Sequence, residues 1–136
     1  GGVLNAFDFA APVTDGVFLT ETTGDMKIDS VTTNGDASLV TRNGSLVDAR
    51  NGGAGDDLAN ILANTIDLKA ANGSIGATSG LNDLEMNSGW QHTSTIAAEA
   101  TESIFLTETA GAANVVLLEA ERGDIRFTVR ESALAG

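Results

Sequence analysis

Cysteine and tyrosine are absent from this chain, and proline, tryptophan and histidine occur once each. Without cysteine there is no disulfide, no thiolate nucleophile and no thiolate metal ligand. A lone histidine, His92, leaves little room for a histidine-held metal or a histidine acid–base pair. Cations are scarce. Over 136 residues, 7 Lys and Arg stand against 19 Asp and Glu, for a formal net charge of −12. Such a surface repels a phosphate backbone, so nucleic acid is excluded as a partner. No apolar run reaches the ~18 residues of a membrane span. No basic stretch leading into an apolar one opens the chain, so no signal peptide is read there. The chain starts Gly1-Gly2-Val3, without methionine, and stops at Ala135-Gly136 in sequence that reads as ordered. It is expected to be a piece of something longer, or a processed product.

What is present is small and aliphatic. The hydrophobic share is 42%, too high for a disordered acidic tail, and 16 glycines accompany it. Aromatics make up only 4%, so a core of Val, Ile, Leu and Ala is expected.

The chain also repeats itself. Phe18-Leu19-Thr20-Glu21-Thr22 recurs as Phe105-Leu106-Thr107-Glu108-Thr109, at an offset of 87 residues. Gly24 matches Gly111 at that offset; Gly35-Asp36 matches Gly123-Asp124, and Arg42 matches Arg130, at 88. Residues 1–136 therefore read as a single segment holding about one and a half copies of an 87–88-residue unit. Within it, Leu19, Leu39, Ile61, Leu84, Leu106 and Phe127 recur every 20 to 23 residues. That step suits one coil of a parallel β-helix or a leucine-rich repeat. The leucine-rich pattern is absent, and the segments alternate at period two, as in Ile66-Asp67-Leu68-Lys69-Ala70. Turn residues follow them, among them Asn43-Gly44, Asn72-Gly73 and Arg122-Gly123. An antiparallel sandwich ranks second, because it does not explain a coil-length step nested in a longer repeat. The expected fold is all-β: a right-handed parallel β-helix of about six coils of 20–23 residues each.

Four stretches carry a likeness to a known group: GVFLTETTGDMKIDSV, GSLVDARNG, ANTIDLKAANGSIGA and LNDLEMNSG. They resemble the repeat regions of giant bacterial surface and secreted exoproteins, similar to filamentous-haemagglutinin-type adhesins. The resemblance covers nearly the whole chain. It implies a right-handed β-helix exported as a fibre or stalk, located outside the cell or on the bacterial surface, with no catalytic residue in the repeat.

Gly52-Gly53-Ala54-Gly55-Asp56-Asp57 approaches a calcium nonapeptide, which makes Asp56 and Asp57 candidate calcium ligands, although no cofactor is required for the fold. The competing reading is a solvated corner loop. Asp25, Asp29, Asp36, Asp48 and Asp67 are candidates for carboxylate columns on one face, or for a simple acidic surface. Glu99 with Glu102, or Asp15 with Glu21, are the pairs a glycosidase would use, without the aromatic platforms of a sugar cleft. Trp90 and His92 sit in the stretch least like its repeat counterpart, and corner packing is the expectation for both. Phe18 and Phe105 are expected to point outward at equivalent places, as lateral contacts. Arg42 and Arg130 are expected to pair with acids on a neighbouring coil or fibre. The strand carrying each Phe is expected to stop before Glu21 and Glu108, because both acids would otherwise point inward.

The functional expectation is a structural segment of an extracellular fibre, adhesin stalk or surface filament. Its partners would be other copies of itself, end to end or side by side, and host or surface glycans. The alternative is a carbohydrate-binding or carbohydrate-cleaving β-helix.

Overall fold

The computed structural model describes residues 2–8, 16–50, 58–76, 83–88 and 94–130. Among the described residues, all twelve elements are strands: β1 (Val3–Asp8), β2 (Gly16–Glu21), β3 (Met26–Thr33), β4 (Asp36–Thr41), β5 (Leu46–Asp48), β6 (Ile61–Leu62), β7 (Ile66–Ala70), β8 (Leu84–Asn87), β9 (Ile96–Ala100), β10 (Ile104–Glu108), β11 (Val115–Ala120) and β12 (Ile125–Val129). Every pairing between them is parallel. One sheet runs β2-β4-β7-β9-β11; the other runs β1-β3-β6-β8-β10-β12, with β5 also on β3. The chain passes from one sheet to the other and back, rising one strand per circuit. This is a β-solenoid of about five turns.

Period-two alternation explains the sidedness. In β7 the pattern Ile66-Asp67-Leu68-Lys69-Ala70 buries Ile66, Leu68 and Ala70 and exposes the two charges. Equivalent residues stack into rows about 4.8 Å apart. In the first sheet the central row is Leu19, Leu39, Leu68, Ala98 and Leu118. In the second, one row is Met26, Leu46, Ile75, Ile104 and Ile125. Leu39, Leu46, Ile61, Ile66, Leu68 and Ile104 are wholly inaccessible to solvent. Each contributes roughly 2 kcal/mol of burial.

The coils are less even than the sequence spacing implied. Along the Leu19 row the steps are 20, 29, 30 and 20 residues. The even series of anchors joins three different rows, with Ile61 standing in the row of Val31 and Met86. Leu19 and Leu39 stack in one sheet, while Leu84, Leu106 and Phe127 stack in the other. The extra residues of the long coils enter between β5 and β6, between Ile75 and β8, and between β8 and β9.

The two copies of Phe-Leu-Thr-Glu also fall on different sheets. The first lies on β2, the second on β10. An 87-residue offset is not a whole number of these uneven coils, so it carries the motif from one side of the solenoid to the other.

Candidate functional site: ladders, a clamp and a buried carboxyl

The corner between the two sheets is held by a column of side-chain oxygens. Ser45 N–H donates to Asp25 Oδ1 at 2.8 Å, Ser74 N–H to Ser45 Oγ at 3.0 Å, Ser103 N–H to Ser74 Oγ at 3.2 Å, and Asp124 N–H to Ser103 Oγ at 3.1 Å. Each oxygen thus accepts from the backbone of the next coil, which satisfies a turn N–H that no sheet reaches. Beside it, Asn43 Nδ2 donates to Thr22 O at 3.0 Å, and Asn72 Nδ2 donates to Arg42 O at 2.9 Å and to Asn43 Oδ1 at 3.1 Å. Glycine lets the coils approach here. A Cβ on Gly44 would lie 2.2 Å from Gly24 O, and one on Gly73 would lie 2.2 Å from Gly44 O.

A second brace joins Asp48 and Arg50 to Ala59, Asn60 and Glu85. Asp48 Oδ1 accepts from Arg50 N–H at 2.8 Å and from Asn60 Nδ2 at 2.6 Å. The Arg50 guanidinium donates to Ala59 O at 2.9 Å, and Glu85 N–H donates to Asn60 Oδ1 at 3.1 Å.

On the outer face of the second sheet, Arg126 reaches across β10 to Asp83, with which it forms a hydrogen-bonded ion pair. On the way its guanidinium lies 4.6 Å from the centre of the Phe105 ring, a cation–π distance. Thr107 Oγ1 donates to the other Asp83 oxygen at 2.9 Å. This clamp joins three successive coils.

Inside the solenoid, one row runs Val31, Ile61, Met86, Glu108 and Val129. Glu108 is a carboxyl in an otherwise apolar row and is fully buried. Ser88 serves it twice: the Ser88 Oγ donates to Oε2 at 2.8 Å, and the Ser88 N–H donates to Oε1 at 3.0 Å. Burial is the larger influence and raises the Glu108 pKa; the hydrogen bonds from Ser88 and from the Ala110 backbone pull it back only in part.

The residues singled out in the sequence land as follows. Phe18 is exposed at 64%, as expected of a contact residue, but Phe105 is 4% exposed and covered by Arg126. The two are not equivalent, because they stand on different sheets and only Phe105 has a clamp over it. Arg42 is exposed at the glycine corner after β4, and Arg130 follows β12, where its N–H donates to Glu108 O at 2.9 Å. These sites also lie on different sides of the coil. The strands continue through Glu21 and Glu108, and Glu108 does point inward, because Ser88 supplies the donors it needs.

Acid columns do not form from the five Asp residues. Asp25, Asp36 and Asp48 are turn braces; Asp36 Oδ1 accepts from Thr65 N–H at 3.1 Å. Asp67 lies between Ser38 and Ala97 in its row. Glu99 instead faces Glu119 in register and pairs with Lys69 at 3.5 Å, while Glu102 is exposed at the next corner. Asp15, Asp56, Asp57, Trp90 and His92 lie outside the described residues. Among the described residues, no group of three or more His, Asp or Glu is placed to hold a metal ion.

The sequence reading missed the serine column, the clamp and the Glu108 pair. The column had a signal, the recurrence of Gly-Asp and Gly-Ser at Asp25, Ser45, Ser74 and Asp124. The clamp had none, since Asp83 and Arg126 are 43 residues apart.

Serine in place of either phenylalanine separates the two environments. F18S is expected to leave stability within about 0.5 kcal/mol of the parent, as for other exposed positions. F105S is expected to cost about 3 kcal/mol, from lost burial and a stranded clamp. Urea unfolding followed by circular dichroism measures both, and equal effects would contradict the assignment of Phe105 to the clamp.

No family model, curated protein or solved structure matches this chain.

Proposed function

We propose that this chain is a non-catalytic structural segment of an extracellular bacterial fibre, an adhesin stalk or surface filament that acts by repetition and self-association. The observation that carries the reading is the use of polar side chains as coil-to-coil braces. Asp25, Ser45, Ser74, Ser103, Asn43, Asn72, Asp36 and Asn60 all serve the stack. A catalytic centre needs a converging cluster of acid, base or nucleophile held apart from such duty. A solenoid whose coils contact only their neighbours can be lengthened coil by coil into a rod. Weak contacts repeated along such a rod add through effective concentration.

Immunogold labelling and protease shaving of the producing cells test this. Label along fibres outside the cell, lost on shaving, is the expected result. Label confined to the cytosol overturns the location. Release of sugar ends from a polysaccharide, abolished by changing one acid, overturns the non-catalytic reading and favours a carbohydrate-cleaving β-helix.

A further inference from the structure

We propose that Asn43 is a self-modification site: the Gly44 nitrogen attacks the Asn43 side-chain amide, ammonia leaves, and water opens the resulting succinimide to aspartate or isoaspartate. Asn72, on the next coil, is the positioning residue for this step. The chemistry belongs to the glycine corner and holds whether or not the chain builds a fibre.

The described residues hold three Asn-Gly pairs: Asn34-Gly35, Asn43-Gly44 and Asn72-Gly73. Glycine after asparagine leaves the attacking nitrogen unhindered by a side chain. Geometry separates the three. Gly35 is buried and its N–H already donates to Thr33 Oγ1 at 3.0 Å, so its nitrogen is engaged and water is kept away. Among the described residues, no acceptor meets the N–H of Gly44 or Gly73, and Asn43 and Asn72 are both exposed.

Asn43 and Asn72 stand in the same triplet, Asn-Gly-Ser, so what distinguishes them is the fold. Asn43 Oδ1 accepts from Asn72 Nδ2 at 3.1 Å. That bond draws electron density from Asn43 Cγ and stabilises the oxyanion that forms on Oδ1 during attack. No donor among the described residues meets Asn72 Oδ1. The leaving nitrogens differ as well. Asn43 Nδ2 gives up one hydrogen bond, to Thr22 O at 3.0 Å. Asn72 Nδ2 gives up two, to Arg42 O at 2.9 Å and to Asn43 Oδ1. Both differences favour reaction at Asn43.

In the step itself the Gly44 N–Cγ bond forms and the Cγ–Nδ2 bond breaks. The Gly44 N–H proton leaves with Nδ2 as ammonia, and one water then adds across either bond of the imide. Conversion removes the donor to Thr22 O. Isoaspartate also adds a carbon to the main chain at a corner where a Cβ on Gly44 would already lie 2.2 Å from Gly24 O. The joint between these two coils is therefore loosened by its own chemistry.

Incubation of the folded full chain at mildly alkaline pH, followed by tryptic digestion and mass spectrometry, tests this. Arg42 and Arg50 bound a peptide whose single asparagine is Asn43, Asn34 is alone in 28–42, and fragment-ion sequencing reads Asn72. Asn43 is expected to convert about fivefold faster than Asn72 or Asn34, the factor that one net hydrogen bond represents. In urea, Asn43 and Asn72 are expected to convert alike. Equal rates in the folded chain, or an Asn43 that stays intact, overturn the site; unequal rates in urea overturn its origin in the fold. N72D keeps the size of Asn72 without its donor and is expected to slow conversion at Asn43. Circular dichroism confirms that this variant keeps its β-structure, and N72A replaces it should it not. An unchanged or faster rate at Asn43 overturns the part given to Asn72. The converted chain, separated by anion exchange, is expected to melt below the parent; an equal melting temperature overturns the loosening of the joint.

Discussion

Alanine at Gly44 is expected to destabilise the solenoid by on the order of 3–5 kcal/mol, a severe effect for one methyl group. The added carbon would lie 2.2 Å from Gly24 O and 2.9 Å from Asp25 N, both backbone atoms that cannot rotate away. Gly44 also sits at φ 154°, a conformation that suits glycine better than any L-residue. Relief requires the coils to move apart at the corner. That would stretch the Gly24 N–H bond to Asn43 O and the Ser45 N–H bond to Asp25, both 2.8 Å long. Gly73→Ala repeats the collision one coil on, against Gly44 O. Gly24 is the control. It has positive φ, 94°, but no atom within 4 Å of an added Cβ. Its replacement by alanine carries only conformational strain, about 1 kcal/mol. Thermal melts of the three variants read the difference. If Gly24→Ala costs as much as Gly44→Ala, close approach of the coils is not the cause.

Glu108 gives the second large effect, and its sign is fixed by burial. The native pKa is raised, so the folded chain holds this proton to higher pH than the unfolded chain does. The contribution of Glu108 to stability is then fullest below the unfolded value of 4.5 and is lost as pH rises through the native pKa. Glu108→Gln removes the ionisation and keeps an acceptor for the Ser88 hydroxyl, with its amide donors buried at some cost. The variant is expected to gain on parent protein as pH rises from 4 to neutrality. Ser88→Ala is expected to steepen the loss of the parent, because the ionised carboxyl then keeps fewer donors. Urea midpoints at several pH values measure the trend. A difference between Glu108→Gln and parent that does not change with pH would show that the carboxyl titrates alike in the folded and unfolded chain, so that burial does not raise its pKa.

Period two in residues 66–70 and the Asn-Gly turns pointed to short strands and tight corners, and the 20–23-residue step decided for a parallel solenoid over a sandwich, although its anchors fall in different rows. The strand and turn signals are local, and each coil is built from local strands. The length of each coil was not legible in the same way. The step from Leu39 to Ile61 looked like the others, yet Leu39 pairs with Leu68 and Ile61 with Val31. Spacing alone does not say which sheet a strand joins. The repeat of Phe-Leu-Thr-Glu misled for a related reason. Identical residues take their exposure from what lies over them, and Arg126 lies over Phe105. Glu108 was read as a strand end because an inward carboxyl is costly; only its neighbourhood reveals that Ser88 meets that cost.

The uneven coils say how a chain of this kind can change over generations. From β2 to β3, β4 to β5, β7 to Ile75, β9 to β10 and β11 to β12, the glycine corner spans nearly the same few residues every time. Beyond the corner the coils take up a spread of some ten residues, splitting the strands of the second sheet into β5 and β6 and into Ile75 and β8, while the first sheet keeps its rows. Descendants of this sequence are therefore free to gain and lose residues on one flank of the rod only. Novelty in such a lineage will accumulate along that flank, while the glycine corner keeps its length and its small residues as the hereditary spine.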